Sequence, residues 1–176
     1  MIVQELTNFN TDSFTFLKPR FSEEEKVFLK ELLDDELTAE FLEDLRTWLE
    51  WEEKGISERQ NRATSIVYLS EVPIGILSLW LLDQEEVVIS HGIAPAHRGK
   101  RFSQKIKEEL NSYLFASFPN LNSITAYIDK TNNNNLASIS RFGYDEIKEI
   151  KDGEQAYFKV CNYSPNYKKE IEGRKL

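Results

Sequence analysis

The sequence is short of the residues that stabilise secreted proteins and anchor membrane proteins. It has one cysteine, Cys161, in 176 residues, which excludes an internal disulfide framework and a cysteine-rich zinc site. Its apolar runs fall well short of the roughly 20 residues that a membrane-spanning helix requires. The opening residues MIVQELTNFN lack the basic leader and apolar stretch of a signal peptide. We therefore expect a cytoplasmic protein that does not bind membranes.

Positive charge is also scarce, because 22 Lys and Arg accompany 30 Asp and Glu, for a net charge of −8. Non-specific nucleic-acid binding relies on a basic surface, and so we expect no nucleic-acid partner. The acidic excess is concentrated between Glu23 and Lys54, where thirteen acidic residues accompany four basic ones. These carboxylates either form the solvated faces of helices or steer a cationic ligand, and the sequence leaves both interpretations open.

The first third of the chain predicts a short strand and a pair of amphipathic helices. The strand is expected over 13–17. Ser22 and Glu25 then have the spacing of a capping box at the start of the first helix. A second helix is expected to begin at a cap formed by Thr38 and to end at Gly55. The acidic region therefore predicts two helices.

The rest of the chain changes to β periodicity and back. Three β-rich runs at 63–69, 74–82 and 86–93, with a turn signal at 70–73, predict an antiparallel meander. The later elements are expected to be a helix from near Lys100 to Pro119, a strand over 123–128, a helix over 133–142 and a hairpin turning at Asp152-Gly153. We therefore expect one α+β domain over 1–164 and a frayed polar tail over 165–176.

The stretch AHRGKRFSQK (96–105) places four basic side chains around Gly99, between a predicted strand and a predicted helix. Gly99 permits a positive φ angle, which lets successive N–H groups face one point. The helix adds its free N-terminal N–H groups and the positive end of its dipole, a combination that suits phosphate. Alternatively, the basic residues merely decorate an exposed helix. No Walker motif or dinucleotide-binding glycine motif is present to decide between the two.

The segment GIAPAHRGKRFSQKI (92–106) resembles the acyl-coenzyme A pyrophosphate loop of the GCN5-related N-acetyltransferase (GNAT) superfamily. The pattern of that loop is Arg/Gln-x-x-Gly-x-Gly/Ala, often within the longer form V-x-P-x-x-R-G-K-G-x-G. The matching positions are Ile93, Pro95, Arg98, Gly99 and Lys100, with Ser103 at the last small position. Arg101 stands where the family has its central glycine. Because the family's loop binds through main-chain N–H groups, a larger residue is expected to fit there if its φ is helical and its side chain points away.

A second segment, NNNNLASISRFGY (132–144), resembles a later motif of the same family, Asn-x-x-Ser/Asn followed by Gly-Phe/Tyr. Asn132, Asn135, Gly143 and Tyr144 align with it. The order of elements over residues 13–161 matches as well, including the glycine that the family has near the start of its third strand, here Gly75. The resemblance implies a three-layer α/β arrangement, with a mixed, mostly antiparallel sheet flanked by helices.

The resemblance also implies that acetyl-CoA is the co-substrate, that an amine acceptor is the second partner, and that no metal ion takes part. The residues implied to contact CoA are Ile93, Ala94, Arg98, Gly99, Lys100, Arg101, Phe102, Ser103, Asn132 and Asn135. For Asn132 and Asn135 the alternative is a helix cap and loop, where asparagine is common.

In this family an acceptor amine attacks the thioester directly, a base removes a proton, and an acid helps the thiolate leave. His91 is the candidate base, since it precedes the loop and histidine has an ordinary pKa of about 6.5; the alternative is a histidine packed on a strand face. Many relatives carry a tyrosine seven residues after the motif asparagine, and here that place is Ile139. Tyr127, Ser138 and Ser140 are the substitutes within reach.

The function implied is that of an acetyl-CoA-dependent N-acetyltransferase acting on a primary amine of a small cationic molecule. Two alternatives remain: a protein N-terminal or lysine acetyltransferase, and a non-catalytic acyl-CoA-binding sensor. The chain is expected to be a monomer or a homodimer.

Overall fold

The computed structural model describes residues 6, 8–41, 44–56, 61–153 and 155–173. Its strands are β1 (Phe9–Asn10), β2 (Thr15–Leu17), β3 (Arg62–Leu69), β4 (Val72–Leu81), β5 (Glu86–Ile93), β6 (Ser123–Asp129), β7 (Glu146–Asp152) and β8 (Gln155–Tyr163). Its helices are α1 (Glu23–Asp34), α2 (Glu36–Phe41), α3 (Leu45–Glu53), α4 (Phe102–Ser117), α5 (Asn133–Phe142) and α6 (Pro165–Gly173). The strands form one sheet in the order β1-β2-β3-β4-β5-β6-β8-β7.

Helix α1 begins where the capping box predicts. The Ser22 hydroxyl accepts a hydrogen bond from the Glu25 N–H at 3.3 Å, which confirms half of the box. The other half is wrong, because the Glu25 carboxylate accepts from the Arg20 N–H at 2.6 Å and from the Tyr68 hydroxyl at 3.1 Å. Glu25 therefore joins α1 to β3 instead of closing its own helix end.

The cap predicted for the second helix is wrong. Asp35, and not Thr38, caps α2: its carboxylate accepts from the Thr38 N–H at 2.9 Å and from the Thr38 hydroxyl at 3.0 Å. Thr38 lies inside α2, and the single helix expected from Thr38 to Gly55 is instead two helices, because α3 starts anew after its N-cap Asp44. The expected stop at Gly55 is confirmed, since α3 ends at Glu53 and Gly55 has a φ of +64°.

The predicted meander of β3, β4 and β5 is confirmed, and both of its pairings are antiparallel. The turn between β3 and β4 is shorter than expected: Ser70 and Glu71 have φ angles of +49° and +69°, and β4 already begins at Val72. Gly75 in β4 is required sterically, because a Cβ atom there would lie 2.3 Å from the Gly92 carbonyl oxygen of β5. The close contact fixes the position of β5 beside the site described below.

Strands β5 and β6 pair for only part of their length. They are parallel, and their pairing runs from Glu86–Ser123 to Val88–Thr125. Beyond those pairs β5 continues to Ile93 and β6 to Asp129 without pairing to each other. Strand β6 pairs on its other side with β8, so the final hairpin enters the sheet with β8 inside and β7 at the edge. The sheet therefore opens in its middle.

Apolar clusters on the two faces of the sheet create three layers. On one face α4 buries Ile106, Leu110 and Leu114 against strand residues that include Ile89. On the other face α1 and α3 bury Phe28, Leu29, Leu32, Trp48 and Leu49 against Ile66 and Ile76. This arrangement confirms the predicted α+β class with a mixed, mostly antiparallel sheet between helices.

The segment after Pro165, which we expected to fray, forms helix α6 as far as Gly173. The Ser164 hydroxyl accepts from the Tyr167 N–H at 3.3 Å at its start. Lys168 forms an ion pair with Asp145 at 2.8 Å, which fixes α6 beside the segment that precedes β7. None of the described helices has the length and apolar character needed to cross a membrane.

Candidate active site

A cleft of ≈640 Å³ opens where β5 and β6 separate. Its walls are formed by Ile89–Ile93 of β5, Ala126–Asp129 of β6, the loop before α4, the first turns of α4, and parts of α2, α5 and β8. The volume lies within the range of about 300–1,000 Å³ that is usual for small-molecule sites. The cleft is therefore formed mainly by the opening in the sheet.

The loop and the start of α4 lie at one end of this cleft. Gly99 has a φ of +75°, as its predicted role in the turn requires. Arg101 is the N-cap of α4 with a φ of +62°, and it makes no side-chain capping hydrogen bond. The condition under which Arg101 was expected to fit, a helical φ, is not met: the residue holds a left-handed conformation, which glycine adopts most easily, at a cost of roughly 1–2 kcal/mol. The first N–H groups of α4 are consequently left for a ligand or water.

The Arg98 guanidinium is hydrogen-bonded to protein groups and does not point into the predicted phosphate site. Its Nε donates to the Ile93 carbonyl at 2.9 Å, Nη1 donates to the Asp35 carboxylate at 3.1 Å, and Nη2 forms a second, short bond to the same carboxylate. Nη2 also donates to the Thr38 hydroxyl at 3.3 Å. The bond from Arg98 is the main reason that the pKa of Asp35 is lowered. Arg98 therefore joins the end of β5 to the cap of α2.

Eight of the residues implied to contact CoA line the cleft: Ile93, Arg98, Gly99, Arg101, Phe102, Ser103, Asn132 and Asn135. Two do not. Ala94 is buried, its N–H donates to the Ile74 carbonyl at 2.9 Å, and its own carbonyl accepts from the His97 N–H at 2.9 Å. Lys100 is exposed, and its ammonium donates to the Ala96 carbonyl at 3.1 Å. The main chain of Ala94 and the ammonium of Lys100 are therefore bonded to other protein groups.

Asn132 and Asn135 lie at the start of α5. The Asn132 side-chain oxygen accepts from the Asn135 N–H at 3.0 Å, so the helix-cap interpretation of Asn132 is confirmed. Asn132 is 8% exposed, and both asparagines line the cleft. A cap that lies in the wall of the site can also contact a bound molecule, and so the predicted contact with CoA stays a prediction.

His91 lies on β5 with its ring against the start of α4. Its Nε2 is 2.7 Å from the Ser103 hydroxyl oxygen. Burial, and then the positive charge of Lys107, lower the pKa of His91 to about 3. The imidazole is therefore neutral at pH 7, able to accept a proton but only weakly basic.

Tyr127 approaches the cleft from the other face of the sheet. Side chains alternate between the two faces of a sheet along each strand. Tyr127 therefore lies on the same face as Thr125, whose hydroxyl donates to Glu86 of β5. Glu86 and His91 are five residues apart in β5, so they lie on opposite faces. Tyr127 is 45% exposed. His91 and Tyr127 thus lie on opposite sides of the opening between the strands. Ile139 is partly buried in α5, and the side chains of Ser138 and Ser140 lie outside the described residues.

Several cleft residues were missed by the sequence reasoning: Lys107, Asp129, Arg141, Gln155 and Tyr157. A signal for Lys107 was available, because it lies between Ser103 and Leu110 at the spacing of one helix face, the side of α4 that is buried. The β8 residues had no such signal, since their place depends on which strand pairs with β6.

No protein-family model and no curated protein matches this sequence. Solved structures do match. Spermidine N-acetyltransferase from Vibrio cholerae, in complex with CoA and spermine, is 17% identical with a TM-score of 0.68, over 88% of this chain and 98% of that one. The aminoglycoside acetyltransferase AAC(6')-Ib, in complex with coenzyme A, is 16% identical with a TM-score of 0.71, over 89% and 98%.

A third similar structure is an acetyltransferase of the GNAT family from Bacillus anthracis, 14% identical with a TM-score of 0.67, over 89% of this chain and 98% of that one. The agreement extends over nearly the whole of each chain, so it includes the sheet and the helices on both of its faces. The fold of this chain is therefore that of the GCN5-related N-acetyltransferase superfamily.

Proposed function

We propose that this protein is an N-acetyltransferase that uses acetyl-CoA to acetylate a primary amine of a small cationic molecule. The observation that carries the proposal is the opening between β5 and β6. It leaves the edge of β5 after Val88 unpaired, beside a helix start that has no side-chain cap, within a single cleft. Backbone N–H and C=O groups without a strand partner need another partner, and an extended ligand arm can supply it.

The residues present fit CoA. Arg101 and His97 line the cleft beside the start of α4, where the helix dipole and free N–H groups favour a pyrophosphate. Ile93 and Phe102 provide apolar surface, and Asn132 and Asn135 stand across the cleft on α5. Arg98 would act indirectly, by holding the end of β5 against α2.

Bound acetyl-CoA would supply an activated acetyl group as its thioester. The protein would hold that thioester in the opening between β5 and β6 and exclude water from it. It would also accept or donate protons on the two faces of the sheet. His91 faces the α4 side and Tyr127 faces the opposite side, so the two candidate catalytic residues would serve different protons. We infer that Tyr127 stands on the acceptor side.

The acceptor side is formed by residues on the sheet face opposite α4. Tyr127, Asp129, Gln155 and Tyr157 share this face by strand alternation and by the β6–β8 pairing. Aromatic faces and a carboxylate are the groups that bind ammonium ions. Two of the similar structures are, by name, a spermidine and an aminoglycoside acetyltransferase, and both acceptor classes are cationic.

The acidic helices contribute fewer residues to the cleft than their concentrated negative charge suggested. Within the described part of the chain, only Leu37 and Thr38 of these helices line the cleft. Glu25 is bonded to Arg20 and Tyr68, while Glu52 accepts from the Thr64 N–H at 2.9 Å. Several of these carboxylates therefore hold structure. The proposed cation preference rests on the aromatic residues of the acceptor side and on Asp129, whose Oδ1 also accepts from the Thr131 N–H at 2.7 Å.

The test measures CoA binding by calorimetry and thermal shift, then thiol release from acetyl-CoA with a panel of polyamines, aminoglycosides and peptides with free amines. We expect CoA to raise the melting temperature and one cationic amine to give turnover. Arg101→Gln should weaken CoA binding about tenfold, as expected for the loss of one charge-assisted contact. Lys54→Gln, an exposed lysine outside the cleft, should leave binding unchanged.

The outcomes separate the alternatives. Turnover with peptides and not with small amines would favour a protein acetyltransferase. CoA binding without turnover on any amine would favour a sensor. A protein that neither binds CoA nor gains thermal stability from it would end the proposal.

A further inference from the structure

Lys107 is a buried cation in the wall of the cleft. It lies on α4 one turn beyond Ser103, and its exposed fraction is 3%. Its ammonium lies 5.7 Å from the centre of the Phe142 ring and 5.9 Å from that of Tyr144. Within the described residues it has no hydrogen-bond acceptor and no carboxylate partner. Lysine is almost never fully buried unless it is paired, so Lys107 calls for a functional explanation.

The groups around Lys107 leave its charge unbalanced. His91 faces it from β5 and is neutral, Ser103 precedes it on α4, and Phe142 and Tyr144 cover it from the end of α5. The Tyr144 hydroxyl is itself buried with no hydrogen-bond partner in the described part of the chain, and burial raises its pKa to about 12, so it stays uncharged. No anion therefore faces the ammonium from these elements, although the cleft itself is open to it.

The position of Lys107 along α4 separates it from the helix start. Five residues of helix place it about 7.5 Å along the axis from Phe102. Helix α4 connects the parallel strands β5 and β6 and so returns antiparallel to β5. Lys107 is thus displaced from the anion end of the cleft toward the point where the strands part.

Lys107 also lies on the sheet face opposite the acceptor side. Its contacts are with His91 and α5, whereas Tyr127 and Asp129 project from the other face. The attacking amine and the departing sulfur are different substituents of the tetrahedral acetyl carbon, so a group on the α4 side can serve the sulfur while the amine approaches from the other side. The ammonium is therefore placed for the leaving group and not for the acceptor.

We propose, on the basis of the acetyltransferase function above, that the Lys107 ammonium donates the proton that the CoA sulfur takes up when the thioester is cleaved. A C–N bond forms between the acceptor amine and the acetyl carbon, and the C–S bond breaks with its electron pair going to sulfur. Sulfur takes the proton of Lys107, and the proton lost by the amine passes to water. Lys107 regains a proton from solvent, leaving the N-acetyl amine and the CoA thiol.

The chemistry of the donor matches this task. Burial lowers the pKa of Lys107 from 10.5 to about 8. An ordinary cysteine-like thiol has a pKa of about 8.5. The pKa values of the proton donor and the proton acceptor are therefore similar, a condition that favours proton transfer in catalysis. The proton donor absent at Ile139 would then be supplied from the neighbouring helix.

The experiment uses the full chain, acetyl-CoA, CoA, and the best acceptor from the amine panel. Lys107→Met removes both charge and proton, while Lys107→Arg keeps the charge but cannot release its proton near neutral pH. Lys54→Met is the control, because Lys54 is exposed outside the cleft and bonds to Glu50 at 3.1 Å. Beside kcat and KM, the thiol pKa of bound CoA is read from thiolate absorbance against pH, with desulfo-CoA as the blank.

We expect Lys107→Met to lower kcat by about a hundredfold while KM for acetyl-CoA changes by less than about threefold. A facing ammonium lowers the pKa of a thiol, so bound CoA should have a lower thiol pKa in the wild type than in Lys107→Met. Lys107→Arg should keep the lowered thiol pKa and lose the rate.

Equal kcat in the wild type and Lys107→Met would overturn the proposal, as would an identical thiol pKa of bound CoA in the two proteins. Either result in an active wild type leaves the acetyltransferase function standing. A wild type that binds no CoA would instead defeat the proposed function itself, and one that binds CoA without turnover still allows the thiol titration to decide on Lys107.

Discussion

Replacing Lys107 with methionine is expected to stabilise the protein at neutral pH, since its ammonium is buried with no carboxylate partner among the described residues. The fall in the Lys107 pKa from 10.5 to about 8 corresponds to about 3 kcal/mol of unfolding free energy. Because the folded pKa lies below the unfolded one, the cost is complete below pH 8. It fades as the pH rises toward 10.5, where both states are neutral.

The assay is urea unfolding of the wild type and Lys107→Met at intervals from pH 7 to pH 10. The difference between their unfolding free energies should be largest at pH 7 and should shrink steadily above pH 8. Tyr144 and His91 are present in both proteins, so their titrations largely cancel in that difference. Lys54→Met, in which an exposed lysine is lost, should follow the wild type at every pH. Parallel curves for Lys107→Met and the wild type would refute a buried, unpaired ammonium.

Three further predictions concern residues around the cleft. Arg98→Ala should cost about 2 kcal/mol, as expected for hydrogen bonds to a charged group. Since Arg98 holds the Asp35 pKa low, the loss should shrink as acid protonates Asp35; a deficit independent of pH in urea unfolding would contradict this. Arg101→Gly should leave the melting temperature equal or higher, because relieving roughly 1–2 kcal/mol of left-handed strain offsets glycine's freedom in the unfolded chain; a fall of several degrees would show that the side chain holds structure. Gly75→Ala should cost about 3 kcal/mol, because its Cβ would lie 2.3 Å from the Gly92 carbonyl oxygen; unchanged calorimetric stability would mean that β5 can move aside.

Local signals predicted helices α4 and α5 closely. Helix α5 spans Asn133–Phe142, as expected, because its cap at Asn132 and its stop at Gly143 are both short-range features. Helix α4 begins slightly later than expected because Arg101 takes a left-handed conformation in place of glycine. Caps and periodicity depend on neighbours within one or two turns, and these can be read from the chain directly.

Side-chain partners were harder to predict. The Arg98 guanidinium was expected at a phosphate, but it bonds to Asp35, which lies 63 residues earlier. The burial of Lys107 depends on Phe142 and Tyr144, which come from a different helix and the segment after it. Such contacts depend on how α2 and α5 pack on the sheet, and no local pattern reports that packing.

By itself the sequence determined the order and type of most elements, the glycine-dependent loop before α4, and the resemblance that predicted the fold. Tertiary structure alone decided that β8 enters the sheet between β6 and β7, and that β5 and β6 part after Val88 and Thr125. It also decided which cations remain unpaired. The physical reason is that helices and strands follow from local backbone preferences. A cleft and the partners of its charged groups form only when segments distant in the sequence pack against each other and exclude water.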